Sequence, residues 1–247
     1  MDVSAAKAIV TGAASGLGRA TAEALRAEGA EVWALDRDPA GAGAAEAMGA
    51  RFAEVDVTDE DSVARAVGGA AEAMGGLTLC VNCAGIATAE STLGRRGPHR
   101  AESFARTVQV NLVGTYLVGA RAAAAMAAGG ADPAGVIVNT ASIAAFDGQR
   151  GQTAYAASKG GVAALTLPMA RDLARSGIRV VALAPGIFRT PMLEGLGEEV
   201  MEGLAKDVVY PPRLGDPAEF ARAVIFAYAC DYLNGTTIRL DGALRMP

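Results

Sequence analysis

The chain has 247 residues, of which 51% are hydrophobic and 20% are charged. This length fits one large α/β domain, and the apolar content excludes a disordered chain. The net charge of −5 excludes a global basic field that would draw the protein to nucleic acid or to anionic lipid. The N-terminal residues lack the pattern of a secretory signal, so we expect a cytoplasmic protein with no membrane and no nucleic-acid partner.

Short β-rich runs alternate with longer helical patterns along the chain. Seven runs are nearly continuous in apolar residues, the pattern of parallel strands buried on both faces. The predicted strands are Lys7–Thr11, Glu31–Leu35, Arg51–Val55, Leu77–Asn82, Gly135–Ala141, Ile178–Ala184 and Thr236–Leu240. The predicted helices are Gly16–Glu28, Ser62–Met74, Phe104–Met126, Ala154–Arg175 and Pro217–Tyr228. The alternation predicts an α/β fold with a single Rossmann-type doubly wound parallel sheet of about seven strands, and helices on both faces, over residues 1–247.

Two long segments interrupt this rhythm. Residues 86–103 form a polar insert after the fourth predicted strand, and residues 187–216 form a weakly helical segment after the sixth. Both segments follow the carboxyl ends of strands, where open α/β sheets bind their ligands. We therefore expect the first segment, the insert, to flank a ligand and the second segment, the lid, to cover a substrate.

A glycine-rich loop joins the first predicted strand to the first predicted helix. It reads TGAASGLG, with the spacing G-x-x-x-G-x-G. Glycines at such a junction allow a tight turn and let the backbone approach a pyrophosphate at a helix N-terminus. The loop predicts dinucleotide binding by Gly12, Ser15, Gly16, Leu17 and Gly18.

Asp36 ends the second predicted strand, where a carboxylate can accept hydrogen bonds from the adenosine ribose hydroxyls. Its charge would repel a 2′-phosphate, which favours NAD over NADP. The neighbouring Arg37 argues the other way because a guanidinium can bind that phosphate. Asp38 adds a second negative charge, and the balance predicts NAD.

The cysteines do not predict a metal site. Cys80 and Cys83 form a C-x-x-C pattern on a predicted strand, where residues three apart point to opposite faces. His99 is the single histidine, so no second pair of ligands is evident. We expect small buried side chains and no zinc.

Tyr155 and Lys159 lie one turn apart at the start of a predicted helix. A free tyrosine has a pKa of about 10, which is too high for efficient proton exchange near neutral pH. A nearby ammonium group and an oxidised nicotinamide would favour the phenolate and lower that pKa. The pair predicts a redox enzyme in which Tyr155 is the acid/base.

Several motifs together resemble the short-chain dehydrogenase/reductase family over the whole chain. They are TGAASGLG, Asp36, VNCAG at 81–85, Asn111, Ser142 and YAASK at 155–159. The resemblance implies that Ser142 hydrogen-bonds the substrate oxygen and that Asn111 holds a water linked to Lys159. It also implies cofactor contacts from Asn82, Asp56, Val57, Cys83, Ala84 and Gly85.

The second half is similar to the type 2 3-hydroxyacyl-CoA dehydrogenases, an NAD-using branch of that family usually built as homotetramers. The segments that resemble it include NTASIAAFDGQRGQTAYAASKGG, GIRVVALAPG and RLGDPAEFA. This likeness implies that Gln152 orients the substrate, while Phe188 and Thr190 contact the nicotinamide end of the cofactor. It implies a 3-hydroxyacyl-CoA substrate, an acyl-CoA thioester.

Three readings of the function remain open. In the first, the substrate is an acyl-CoA thioester. In the second, the substrate is a steroid or other non-CoA alcohol. In the third, the chain is a non-catalytic NAD-binding scaffold. Arg95, Arg96 and Arg100 in the insert either attract CoA phosphates or form a solvated loop. The lid contains apolar residues that either line an acyl channel or pack the lid down, namely Met192, Leu193, Leu196, Val200, Met201 and Leu204.

Overall fold

A computed structural model describes residues 1–95, 97–194 and 197–246, except for the side chains of Met192, Glu194 and Val200. Four residues singled out above are affected. Arg96 and Leu196 lie outside the described residues, as do the side chains of Met192 and Val200.

Seven parallel strands form the central sheet, as predicted. They are β1 (Lys7–Thr11), β2 (Glu31–Asp36), β3 (Arg51–Glu54), β4 (Leu79–Asn82), β5 (Gly135–Thr140), β6 (Ile178–Pro185) and β7 (Thr236–Leu240). Their order across the sheet is β3-β2-β1-β4-β5-β6-β7. The order reverses between β1 and β4, which is where a doubly wound sheet opens a ligand crevice at its carboxyl edge.

Helices connect the strands and cover both faces of the sheet. They are α1 (Gly16–Ala27), α2 (Gly41–Ala47), α3 (Glu60–Met74), α4 (Ala101–Ala128), α5 (Thr153–Leu173), α6 (Pro191–Glu194), α7 (Glu198–Ala205) and α8 (Pro217–Ala229). A π-helical turn, Gln109–Gly114, lies within α4. Short 3-10 turns occupy Val3–Ala5, Ile143–Ala145 and Ala174–Ser176, and the insert contains a small antiparallel ribbon of Leu93–Gly94 and Gly97–Pro98.

The alternation of side chains along the strands builds two cores. In β1, Val10 faces the layer that contains Leu25 and Phe220, whereas Ile9 faces the layer that contains Val67 and Met126. All six side chains are at most 2% exposed. Each such side chain contributes about 1.5–3 kcal/mol relative to an exposed one, so burial on both faces fixes the sheet between its helices.

Helix α4 is long and apolar enough, by length and composition, to cross a membrane. Its buried residues Val118, Ala122 and Met126 belong to the core shared with α3 and the sheet. Packing against α3 and the sheet therefore accounts for the apolar character of these residues.

The lid is more ordered than its sequence predicts. Helices α6 and α7 lie within it, and Phe188 forms a parallel bridge with Gly215 at its base. The lid ends at Asp216, which caps α8 in a capping box with Glu219, while Pro217 occupies the first turn. Both ends of the lid are thus fixed beside the strand ends.

Candidate active site

The glycine-rich loop after β1 packs closely against the loop after β4. Gly12 has φ +66°, and a Cβ atom on it would lie 2.8 Å from the backbone nitrogen of Ala84. A Cβ atom on Gly18 would lie 2.2 Å from the Gly12 carbonyl oxygen. Neither position leaves room for a side chain, so the loop keeps its tight turn and α1 begins directly beside it.

The N-terminus of α1 faces a cleft rather than a capping side chain. Ser15 occupies the N-cap position, and its side chain makes no capping hydrogen bond. Thr190, at the start of the lid, lies across from it: a Cβ atom on Gly16 would come within 3.5 Å of the Thr190 Cγ2 atom. Free first-turn N–H groups at the positive end of a helix fit the pyrophosphate of a dinucleotide.

Three adjacent strand ends are tied together by side-chain hydrogen bonds. The Thr11 hydroxyl oxygen accepts from the backbone nitrogens of Cys83 and Ala84, both at 3.1 Å. The Thr140 hydroxyl donates to the Cys83 sulfur at 3.5 Å. The predicted cofactor residues after β4 are thereby fixed to β1 and β5.

Asp36 lies at the end of β2 and anchors the glycine-rich loop. Its carboxylate accepts from the backbone nitrogen of Ala14 at 2.9 Å and from that of Asp38 at 3.0 Å. The turn-capping role and the predicted ribose role are compatible because each carboxylate oxygen retains a second acceptor direction.

Asp56 and Val57 follow β3, and the two residues differ in exposure. Asp56 is exposed and accepts from the backbone and hydroxyl of Thr58, which lower the pKa of its carboxyl group. Val57 is 8% exposed and packs under Gly114 of the π-helical turn. The structure places both residues just past the carboxyl end of β3, and their contact with the cofactor stays a prediction.

The structure brings the predicted catalytic side chains together. The Lys159 Nζ atom lies 5.9 Å from the centre of the Tyr155 ring and donates to the Thr140 carbonyl at 2.6 Å. Ser142 lies just past β5, where its hydroxyl oxygen accepts from the Ala144 nitrogen at 3.1 Å and its side chain lies beside the Tyr155 phenol. Ser142 therefore both caps the turn and faces the phenol.

Burial sets the ionisation of this pair. It lowers the pKa of Lys159 to about 8, and it raises the pKa of Tyr155 although the Ser142 hydrogen bond opposes that change. In the protein alone the lost hydration of the phenol is the larger effect, and a lower pKa of Tyr155 beside both Lys159 and an oxidised nicotinamide stays a prediction. At neutral pH the phenol thus holds its proton and can donate it.

Asn111 acts as a junction inside the π-helical turn. Its Oδ1 atom accepts from the Ile86 nitrogen at 2.8 Å, and its Nδ2 atom donates to the Ile86 oxygen at 2.9 Å and to the Ser158 hydroxyl at 3.0 Å. Both amide N–H groups are used, so the side chain links the loop after β4 to α5. The water implied for this residue stays a prediction.

Gly85 lies beside both Lys159 and Asn111. A Cβ atom on it would be 3.6 Å from the Lys159 Nζ atom and 3.2 Å from the Asn111 Oδ1 atom. The predicted cofactor loop and the predicted proton path therefore meet at a position with little space for a side chain.

Two predicted contacts are less direct. Gln152 precedes α5, where its side-chain amide pairs with Gln149 at 3.4 Å. The Phe188 ring is 7% exposed and packs edge-on against Phe220, within the core. The Phe188 side chain therefore does not face the cofactor cleft, and a contact with the nicotinamide would have to come from its backbone.

Sequence reasoning missed three polar residues of this region. Thr140 binds Lys159 through its carbonyl oxygen, and Ser158 connects Asn111 to the Tyr155 carbonyl with a 2.7 Å bond. Glu90 of the insert binds the segment before α5. Ser158 stands inside the YAASK motif and Thr140 stands at a strand end, so position could have drawn attention to both residues.

Cys80 is buried and Cys83 is partly exposed. Burial raises the pKa of Cys80 far above its ordinary value and that of Cys83 to about 11, which disfavours thiolates. Across the described ranges, no group of three or more His, Cys, Asp or Glu side chains could hold a metal ion.

Known proteins resemble this chain over nearly its full length. A family model described as short chain dehydrogenase matches residues 6–201. The protein named 3-hydroxyacyl-CoA dehydrogenase type-2 from Drosophila melanogaster is 49% identical, covering 98% of each chain. The human protein of that name is also 49% identical, covering 97% of this chain and 95% of its own.

A crystal structure extends the likeness to three dimensions. The 3-hydroxyacyl-CoA dehydrogenase type-2 from Mycobacterium avium superposes with a TM-score of 0.90 at 41% identity, covering 97% of this chain and 96% of its own. The family match, the sequence identity and the shared fold all agree with the grouping of the candidate catalytic residues at the strand ends. The chain belongs to the short-chain dehydrogenase family of nicotinamide-dependent oxidoreductase enzymes that act on small molecules.

Proposed function

We propose that this enzyme interconverts a 3-hydroxyacyl-CoA and the corresponding 3-ketoacyl-CoA with NAD as its cofactor. The observation that carries the proposal is the grouping of Ser142, Tyr155 and Lys159 at the strand ends, beside a glycine loop shaped for a pyrophosphate. Relatives at 49% identity that bear the name of this activity support the substrate class.

The side chains have distinct roles in ketone reduction. The nicotinamide supplies the hydride when it is bound. The Ser142 hydroxyl donates a hydrogen bond to the substrate carbonyl oxygen, where negative charge develops, and Tyr155 transfers its phenolic proton to that oxygen. The Lys159 ammonium stabilises the phenolate that remains, and Asn111 holds the neighbouring loop in place. In alcohol oxidation Tyr155 accepts the proton instead.

Charge at the end of β2 supports NAD rather than NADP. The Asp36 carboxylate is held by two backbone N–H groups beside the glycine loop, so it cannot easily turn away from a ribose. A 2′-phosphate would meet this charge, while Arg37 is exposed. The geometry thus favours repulsion of NADP.

The residues of the insert and of the lid support a large, partly anionic substrate. Arg95 and Arg100 of the insert are exposed and would attract phosphates, which a CoA thioester has and a steroid lacks. In the lid, Met201 is 4% exposed and Leu193 and Leu204 are partly buried, a set that suits an acyl chain. A scaffold function is not favoured because it would not need a half-buried tyrosine beside a buried lysine.

We further propose a homotetramer in the cytoplasm. Large side chains on the outer faces of helices and after α8 supply apolar surface for contacts between copies. On these surfaces Tyr116 is 55% exposed, Phe226 is 56% exposed and Tyr232 is 102% exposed.

Oxidation of NADH tests the substrate class directly. The enzyme is assayed with acetoacetyl-CoA, with acetoacetate and with a bulky non-CoA ketone. We expect strong turnover of the thioester alone. Turnover of only a non-CoA ketone would shift the substrate class, and tight NADH binding without any turnover would indicate a scaffold.

A further inference from the structure

The insert, residues 86–103, is bonded to the start of the catalytic helix. The backbone nitrogen of Glu90 donates to the Gly151 oxygen at 2.8 Å, and the hydroxyls of Thr92 and Thr153 lie 3.2 Å apart. Gly151 stands four residues before Tyr155. The insert therefore packs against the residues that lead into Tyr155.

The Glu90 side chain holds the other end of the insert. Its Oε1 atom accepts from the Arg100 backbone nitrogen at 2.8 Å, and its Oε2 atom lies 3.4 Å from the Arg100 guanidinium. Arg100 is the N-cap residue of α4 and makes no side-chain cap of its own. A carboxylate at this position caps the helix from another segment and is favoured by the helix dipole.

His99 completes this contact. Its side chain is 10% exposed, its Nε2 atom lies 3.8 Å from the Glu90 Oε2 atom, and its ring packs edge-on against Phe104. No hydrogen-bond partner of that nitrogen occurs among the described residues. The carboxylate is thus the polar group placed to receive it.

We propose that Glu90 is a positioning residue for the substrate: its carboxylate ties the insert to the start of α4, which holds the Glu90 backbone against the segment before α5, so that the three segments form one wall beside Tyr155. The hydrogen bonds from Arg100 lower the pKa of the Glu90 carboxyl group, so the anchor is charged at neutral pH. Glu90 touches neither Lys159 nor the glycine loop in the structure. Its loss should therefore weaken substrate binding and leave the chemical step and cofactor binding in place.

The test compares Glu90→Ala and Glu90→Gln with the control Glu102→Ala. The control removes an exposed carboxylate from the first turn of α4. We expect Glu90→Ala to raise KM for the ketone about tenfold, the loss of one charged hydrogen bond. Its kcat and its KM for NADH should stay within about twofold of wild type. Glu90→Gln keeps an acceptor for the Arg100 N–H group, so its KM for the ketone should lie between those of wild type and Glu90→Ala.

Amide hydrogen exchange supplies a readout that needs no substrate. Residues 88–100 and 149–153 should exchange faster in Glu90→Ala and at the wild-type rate in Glu102→Ala. An unchanged KM or unchanged exchange at both segments overturns the proposal. The inference rests on the proposed function only for the choice of ketone: if wild type rejects acetoacetyl-CoA, the proposed function fails, and the comparison is made with whichever ketone it reduces.

Discussion

The cofactor side of the site, residues 11–18 and 82–85, differs in construction from the substrate side, which is the insert and the lid. On the cofactor side two loops are packed closely together: Gly12 and Gly18 leave no space for a Cβ atom, and the Thr11 hydroxyl oxygen accepts from two backbone N–H groups. On the substrate side the insert is held by hydrogen bonds of Glu90, from its carboxylate to Arg100 and from its backbone nitrogen to Gly151. The cofactor side is thus confined by close backbone packing, whereas the insert is held by a few hydrogen bonds.

Tyr155 lies where the two sides meet, and its replacement should have the largest effect. We expect Tyr155→Phe to lower kcat about a thousandfold, because ketone reduction loses its proton donor. NADH affinity, measured by fluorescence titration, should change less than twofold since the ring remains. Substantial residual turnover would assign the proton transfer to another group.

Lys159 provides a test of burial at the same junction. In the unfolded chain lysine holds its proton up to about pH 10.4, whereas the folded protein releases it near pH 8. Between these values the unfolded state binds more protons, so stability rises with pH by up to about 3 kcal/mol. Urea unfolding of wild type and Lys159→Met from pH 7 to 10 should give curves that diverge, and parallel curves would contradict the lowered pKa.

Two glycine replacements separate backbone strain from lack of space. Gly12→Ala and Gly97→Ala both place a Cβ atom on a residue with positive φ, +66° and +109°. Only Gly12 has backbone within 3 Å of that atom, and nothing lies within 4 Å at Gly97 of the insert. We expect Gly12→Ala to be about 2 kcal/mol the more destabilised, measured by urea unfolding. Equal losses of stability would show that the backbone around Gly12 can shift to accommodate the added Cβ atom.

The smallest effect concerns cofactor choice. Asp36→Ala should lower the ratio of kcat/KM for NAD over NADP about tenfold, because it removes both the repulsion of a 2′-phosphate and the ribose contacts. Asp38→Ala is the comparison: it removes the second negative charge but none of the predicted ribose contacts, so it should lower the ratio by less. A ratio unchanged in Asp36→Ala would assign the preference to another group.

Most of the sheet could be predicted from sequence because its strands are buried on both faces. Each strand boundary falls within two residues of its prediction, and the capped start of α8 at Asp216 also agrees. Helix α2 and the lid helices α6 and α7 were not predicted. They are short, and α2 is composed largely of Ala and Gly, so hydrophobic periodicity is weak in it.

The grouping of the site could be predicted where motifs have local spacing, as for Tyr155 and Lys159. It could not be predicted where the contact spans distant segments. The Glu90 backbone nitrogen donates to the Gly151 oxygen across 61 residues, and a backbone contact of that kind has no signature in the sequence. The Glu90 carboxylate binds Arg100, although an isolated carboxylate in a polar loop usually indicates solvent exposure. The burial of the Phe188 ring depends on Gly215 and Phe220 from another segment, which the motif does not contain.

The π-helical turn Gln109–Gly114 marks the place where α4 best tolerates a change of length. Such a turn holds one residue more than an α-helical turn, and each residue of a regular helix advances it by about 100°. Deleting one residue at this turn would leave a regular α-helical turn and keep Ala101–Val108 in phase with Thr115–Ala128, whereas the same deletion inside either of those segments would rotate its two parts relative to each other. Relatives that lack one residue of this helix should therefore lack it at the π-helical turn.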